Sequence, residues 1–284
     1  MREKQYTVEC DGRLLREYLL CDLGISTRQL KALKVGGLFV NGERVTVRKV
    51  LKRGDTVTLK YEEASSEIAP IEMPLDIVFE DDFLLAVNKS VHMPVHPSLG
   101  NSLPTLAAGV MYYYRDRDFT FRAVNRLDRE TSGIVLIAKS REAAYRLSMA
   151  MKRGEFIKEY LAVVEGVVTP SVGEINAPIA RECEGAMRRV VRADGKEAVT
   201  LYETLESTES TSLLRVRPIT GRTHQIRVHL SHIGHPLKYD FLYGERTEGK
   251  EYMLHAERLT FPHPETGERI TLVAECPFLK AWTE

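Results

Sequence analysis

The stretch NRLDRETSG, residues 125–133, gathers an acid, two arginines, two hydroxyl residues and a glycine just ahead of an apolar run. A lone aspartate in such a place is more often a turn former or a surface charge than a reacting group. Its neighbours argue for chemistry. Thr131, Ser132 and Gly133 offer hydroxyls and a permissive backbone that can fix a loop by local hydrogen bonds, which would hold the Asp128 carboxylate in one orientation. Fixed orientation is what a nucleophile or base requires. The carboxylate must also stay ionised while burial opposes its charge, so a guanidinium close by is needed. Arg126, Arg129 and Arg222 are the candidates, and arginine is apt because it does not lose its proton.

Four histidines, His224, His229, His232 and His235, also invite a reading. Their spacings are five, three and three, no acid joins them until Asp240, and the H-E-x-x-H pattern is absent, so no metal is expected. Tyr160, in KEYLAVVEG, fits ordinary strand packing. A tyrosine that faces a pocket would instead stack on a nucleobase, worth about 1–3 kcal/mol, comparable with the cost of drawing a base out of its helix.

These residues need elements to position them. LDIVFEDDFLLAVNK predicts two strands, the second ending at Asn88 and Lys89. GIVLIAK (133–139) is a strand running away from the acidic motif, and SREAAYRLSMAMKRG is a helix capped by Ser140 and ended by Gly154. FIKEYLAVVEG returns as a strand carrying Tyr160. Residues 181–196 read as a basic loop with Arg188, Arg189 and Arg192. TGRTHQIRVHLSHIGHP reads as a helix begun by Arg222, with Ile226, Leu230 and Ile233 inward and Gly234 and Pro236 as its stop.

The 284 residues suffice for about two domains. With 43% hydrophobic and 28% charged residues and no apolar run of membrane-spanning length, a soluble cytoplasmic protein is expected, without a secretory signal. The four cysteines lack metal or disulfide spacing and read as reduced and structural. A net charge of zero argues at first against a nucleic-acid partner, but its distribution reverses this. Residues 1–60 hold 13 basic and 7 acidic residues, whereas residues 61–82 hold eight acids and no base. The acidic, Ser- and Pro-containing stretch 61–70 marks a linker between a domain at 1–60 and another at 71–284. The first predicts two short helices, the second capped by Ser26 with Leu30 and Leu33 inward, followed by strands joined at Asn41-Gly42. Arg28, Lys31 and Lys34 face outward on that second helix, where they would suit RNA phosphates.

The order GRLLREYL, GISTRQLKALKVGGLFVNGERV and LKRGDTVTL resembles the small RNA-binding domain shared by a ribosomal small-subunit protein, tyrosyl-tRNA synthetases and several RNA-modifying enzymes. The remainder resembles the RluA/RluD family of pseudouridine synthases. Its signature H-R-L-D-x-x-T-S-G is met in six of seven fixed positions by NRLDRETSG, and AVNKSVHMPVHPS, KEYLAVVEG, GKEAVT, TGRTHQIRVHLSHIGHPL and LHAERLTFPHPETGE follow the family's order. The resemblance implies an α+β fold, a mixed and mainly antiparallel sheet flanked by helices and loops. It also implies isomerisation of uridine in ribosomal or transfer RNA by a monomer without cofactor or metal.

Carried over, Asp128 would be the catalytic aspartate, Tyr160 would pack on the base and help remove the proton from carbon 5, and Arg222 would pair with Asp128. Arg126 would fill the place of the flipped base. His224, Gln225, Arg188, Arg189 and Arg192 would contact RNA. Three residues depart from the family: Asn125 replaces His, Ser90 replaces Pro, and Tyr239 replaces Gly, which adds bulk near the site and bears on substrate preference. Two other classes compete. One is an RNA-binding or ribosome-assembly factor on the same fold. The other is a nucleoside or glycoside hydrolase, which would need a second carboxylate partnering Asp128, with Glu130 nearest.

Overall fold

The computed structural model describes residues 2–25, 30, 33–61, 68–97, 104–245, 247–280 and 282. The chain divides into two compact units, Met1–Glu67 and Ile68–Glu284.

The first unit is built on a four-stranded sheet of β1 (Arg2–Thr7), β2 (Leu38–Val40), β3 (Glu43–Arg44) and β4 (Thr56–Tyr61), in the order β1-β4-β2-β3. The β2–β3 hairpin turns on Asn41 and Gly42, both at positive φ (52° and 82°), as the Asn-Gly pair predicts. The first helix is short: α1 (Leu15–Glu17) runs into a single wide turn over Tyr18–Asp22. Leu15, Leu19, Leu30 and Leu33 join one core with Leu38, Val57 and Leu59. Ser26, Arg28 and Lys31 of the expected second helix lie outside the described residues. The strand at the start of the chain carries no apolar alternation; it pairs with β4 through its backbone, and Glu3 adds an ion pair to Lys60 of β4 at 3.2 Å.

The second unit carries a nine-stranded sheet: β5 (Ile77–Glu80), β6 (Leu84–Lys89), β7 (Ser132–Ala138), β8 (Ile157–Glu165), β9 (Val172–Asn176), β12 (Val199–Ser207), β13 (Thr211–Pro218), β14 (Leu254–Pro262) and β15 (Arg269–Val273). The order is β5-β6-β7-β14-β8-β13-β12-β9, with β15 on β14, and every pairing is antiparallel except β7 with β14. Both faces of the sheet are covered. Along β7, Val135 and Ile137 enter one core with the helices α2 (Leu106–Tyr113) and α4 (Gln225–His232), while Ile134 and Leu136 enter another beneath α3 (Arg141–Lys152). That two-sided burial is why GIVLIA is apolar without alternation. The Ser140 hydroxyl caps α3 by accepting from the Ala143 amide at 3.0 Å.

Gly133 is fixed by this packing. Its φ is +112°, and a Cβ there would lie 2.3 Å from the Ala256 carbonyl of β14. No other residue allows the parallel strand so close at the point where the acidic loop begins.

Two expected elements differ. Residues 181–196 are not a plain loop. Arg181 and Arg189–Val191 belong to an antiparallel ribbon of β10 (Ile179–Arg181) and β11 (Arg189–Val191), and a turn that follows β11 presses Gly195 against the Ile179 backbone. Helix α4 starts at Gln225 instead of Arg222, because His224 adopts a left-handed conformation (φ 57°). The Gln225 side chain holds that entry: Oε1 accepts from the Arg222 amide and the Thr220 hydroxyl, and Nε2 donates to the Val199 carbonyl. Of the cysteines Cys276 is buried and Cys10 packs against the core of the first unit, whereas Cys21 and Cys183 are exposed, so a packing role fits the first two. Among the described residues no helix is long and apolar enough to cross a membrane.

Candidate active site

Residues 125–131 lead into β7, and hydrogen bonds to the strand and its neighbours fix this loop. Buried Asn125 donates through Nδ2 to the Ile134 carbonyl (2.9 Å) and accepts at Oδ1 from the Leu136 amide (2.8 Å), so it pins the loop to the strand. We expect Asn125→Ala to cost about 2–3 kcal/mol, because it orphans two buried backbone groups. Urea unfolding reads this directly, and an unchanged midpoint refutes it. The Asp128 carbonyl accepts from the Thr131 amide (3.1 Å), the Thr131 hydroxyl meets the Tyr252 hydroxyl (3.0 Å), and the Ser132 hydroxyl meets His255 Nδ1 (2.8 Å). Lys89, 1% exposed, donates to the Ser90 carbonyl (2.8 Å) and the Arg129 carbonyl (3.0 Å). A proline at residue 90 would supply the same carbonyl. Burial lowers the Lys89 pKa to about 8, against the opposing pull of the Glu130 and Asp128 charges.

Asp128 is thus left pointing into a cavity of about 650 Å3, with its side chain 34% exposed. That volume suits a single nucleoside. Across the cavity, Arg227 of α4 is buried and donates through Nε and Nη2 to both Asp240 oxygens, each at 2.7 Å. Its remaining nitrogen, Nη1, faces Asp128 Oδ2 at 3.6 Å. The guanidinium is wedged against the rings of Tyr252 (4.4 Å) and Tyr243 (5.0 Å). Burial works against the Arg227 charge, but the hydrogen bonds to Asp240 together with the Tyr252, Asp240 and Asp128 charges outweigh it, so its pKa is raised.

A second relay meets Asp128 from the ribbon side. The Tyr243 hydroxyl accepts from the Arg189 amide (2.8 Å), so its own proton is available to His224 Nδ1 (2.9 Å). Burial lowers the His224 pKa, which keeps the ring neutral at pH 7. The remaining ring proton then sits on Nε2, 3.8 Å from Asp128 Oδ2. Tyr160 lines the same cavity from β8, at the level of an irregularity in β14 between His255 and Arg258. Such a bulge releases a side chain from regular cross-strand pairing. Burial and then the Asp128 charge raise the phenol's pKa, so it stays protonated at neutral pH.

Residues 83–232 match the family model described as RNA pseudouridylate synthase. The chain is 42% identical over 264 residues to an uncharacterized RNA pseudouridine synthase, YjbO, of Bacillus subtilis (strain 168), covering 90% of this chain and 93% of the relative. It is 35% identical over 263 residues to the ribosomal large subunit pseudouridine synthase D of Xanthomonas campestris, covering 86% and 79%. The solved structure of human RNA Pseudouridylate Synthase Domain Containing 1 superposes with a TM-score of 0.62 at 30% identity, over 74% of this chain and 86% of that one.

The chain belongs to the RNA pseudouridylate synthase family. It is an isomerase that converts uridine in RNA to pseudouridine, on the α+β fold that the sequence leads one to expect.

Within the synthase, Asp128, Tyr160, Arg126, Arg222, His224 and Gln225 all line the one cavity. The expected partner of Asp128 is corrected. Arg222 lies outside the helix and donates through Nε to the Glu197 carbonyl (2.8 Å), and the guanidinium that faces Asp128 is Arg227. Gln225 is buried with both ends of its amide used by the protein, which leaves it no hydrogen-bonding group for RNA. Arg192 is paired with Asp194 and Arg188 reaches Glu182 at 3.4 Å, while the Arg189 side chain donates to the Ala186 and Met187 carbonyls. Lys34 is exposed. Tyr239 does not line the cavity. It sits at φ 67°, a conformation that favours glycine, with Lys238 and Lys250 on its ring.

The four motif histidines do not converge: His229 is buried between the Thr200 hydroxyl and the Ala177 carbonyl, and His235 bonds the Glu165 carbonyl. Among the described residues the group with metal-ligand geometry is elsewhere, at His92, Glu130 and Glu251, where His92 Nδ1 lies 2.9 Å from Glu130 and 3.6 Å from Glu251. Of Asp240, Tyr243 and Tyr252, only the first two carry a hint in the sequence, through the D-F-L-Y-G stretch.

Proposed function

We propose that the synthase isomerises uridines of large-subunit ribosomal RNA, with Asp128 as the reacting carboxylate. The observation that carries this is the Asp128 side chain, open to a nucleoside-sized cavity and faced by Arg227 and His224. Cleavage of the glycosidic bond builds positive charge on the ribose, which a fixed carboxylate stabilises or traps. The freed uracil turns, carbon 5 bonds to the sugar, the carbon 5 proton leaves and nitrogen 1 gains one, so atoms and charge balance. Tyr160 packs on the base. Because its phenol is held protonated, it serves proton removal only by passing its own proton onward as it accepts another. Arg126, exposed at the cavity wall, fills the stack where the uridine was.

Ribosomal RNA is favoured by the relatives named large-subunit synthases in Xanthomonas, Haemophilus and Pseudomonas. Action as a monomer in the cytoplasm fits the same reading. Pseudouridine maps of ribosomal and transfer RNA from cells with and without the gene test it. A missing site in large-subunit RNA is expected, a missing site in transfer RNA alone moves the substrate, and identical maps sink the proposal.

The first unit serves to hold RNA. Lys34, Arg48, Lys49, Lys52 and Arg53 are exposed and form no ion pair among the described residues. Deleting residues 1–67 should weaken RNA binding and make the dependence of affinity on salt shallower, by about 0.7–0.9 in log–log slope for each phosphate that is no longer neutralised. An unchanged slope in filter-binding titrations would overturn this role.

A further inference from the structure

The correction at Arg222 leaves an arginine at the cavity mouth without the partner expected for it. A second cavity of about 500 Å3 explains its place. It shares Gly221, Arg222 and Thr223 with the catalytic cavity, and its other walls come from the β10–β11 ribbon. Four of its lining residues are cationic: Arg181, Arg189, Lys196 and Arg222. Its acid, Asp194, is already bound through both oxygens by Arg192, at 2.5 and 3.1 Å. Arg181 and Lys196 are exposed and make no side-chain hydrogen bond or ion pair among the described residues. Arg181 also stands directly across from Arg189 in the ribbon. Like charges so placed destabilise a strand pair, and an anion between them relieves that cost.

On the catalytic side of the shared wall lies Lys158. It lies two residues before Tyr160 on the same face of β8 and lines the same cavity. A methyl group placed on Gly221 would lie 3.7 Å from its Nζ, so the ammonium sits at the glycine the two cavities share. Lys158 has no acidic or hydrogen-bonding partner among the described residues, and burial lowers its pKa. A desolvated cation left unpaired beside a chain of further cations is a site awaiting a negative ligand.

We propose that the Gly221 wall is a backbone-phosphate subsite, in which Lys158 and Arg222 grip the phosphate beside the extruded uridine and Arg181 and Lys196 guide the next one along the ribbon. This rests on the reading of the chain as an enzyme acting on RNA. Lys158 and Arg222 are therefore positioning residues: they act on the strand and not on the reacting atoms.

The test uses the full chain and a synthetic RNA spanning the uridine it modifies. Lys158→Met and Arg222→Met should each weaken RNA binding about 10-fold and make the salt slope shallower by about 0.7, while the single-turnover rate at saturating RNA stays within about threefold. Lys158→Arg should regain most of the affinity. A neutral methylphosphonate at the flanking phosphate should cost the wild type about 10-fold and cost the Lys158→Met, Arg222→Met double variant almost nothing. Equal losses in both proteins, an unchanged salt slope, or a fall of more than about 100-fold in the saturated rate with normal affinity would each overturn the subsite. Wild type that makes no pseudouridine in any RNA defeats the parent reading instead.

Discussion

Asp128→Asn lowers the single-turnover rate of pseudouridine formation by at least about 10^3-fold and leaves RNA affinity within about twofold. The magnitude follows from what is removed. Taking away one preorganised group that faces developing charge already costs about 10^2–10^3 in rate, and here the full charge opposite the sugar is lost. The shape of the side chain is kept, and so is the fold. Arg227 remains neutralised by Asp240 at 2.7 Å, and the loop is held by Asn125, Thr131 and Ser132, none of which uses the Asp128 carboxylate. Release of tritium from 5-tritiated uridine in RNA measures the rate, and the melting temperature reports the fold. Turnover within tenfold of wild type in a folded variant would remove Asp128 from the chemistry. Free uracil in place of pseudouridine would signal a hydrolase.

The central strands and α3 were legible because burial writes itself into residue type. A strand covered on both faces is apolar throughout, and α3 shows its cap at Ser140 and its core stripe at Ala143 and Leu147. The chemistry was legible only in part. Asp128, Tyr160 and the loop hydroxyls come from short contiguous motifs, whereas the cation opposite Asp128 is one of two arginines five residues apart. What selects Arg227 is the left-handed residue His224, which delays the helix and turns Arg222 outward. No side-chain pattern announces that conformation, since histidine rarely adopts it. Asp240, Tyr243 and Tyr252 reach the site across loops, so their convergence is a matter of tertiary packing. The ribbon at 179–191 is not legible for a different reason: its strands are three residues each, too short to show the alternation that marks a half-buried strand.

Arg227→Met should destabilise the synthase by about 3–5 kcal/mol and abolish activity, and the two effects have separate origins. Asp240 is fully buried, and both its oxygens accept from this guanidinium. Without it a carboxylate is left in the interior with the Leu242 and Tyr243 amides as its donors among the described residues, at 2.9 and 3.2 Å. The deficit relative to wild type should appear as a lower midpoint in urea titrations. Arg227→Lys cannot replace the forked pairing and should fall between the two. The double variant Arg227→Met, Asp240→Asn removes the stranded charge and should recover most of the stability, since it deletes both members of the pair. It should not recover turnover, because Asp128 still lacks the cation at 3.6 Å. A stable double variant with near-normal turnover would mean that the guanidinium serves the fold alone.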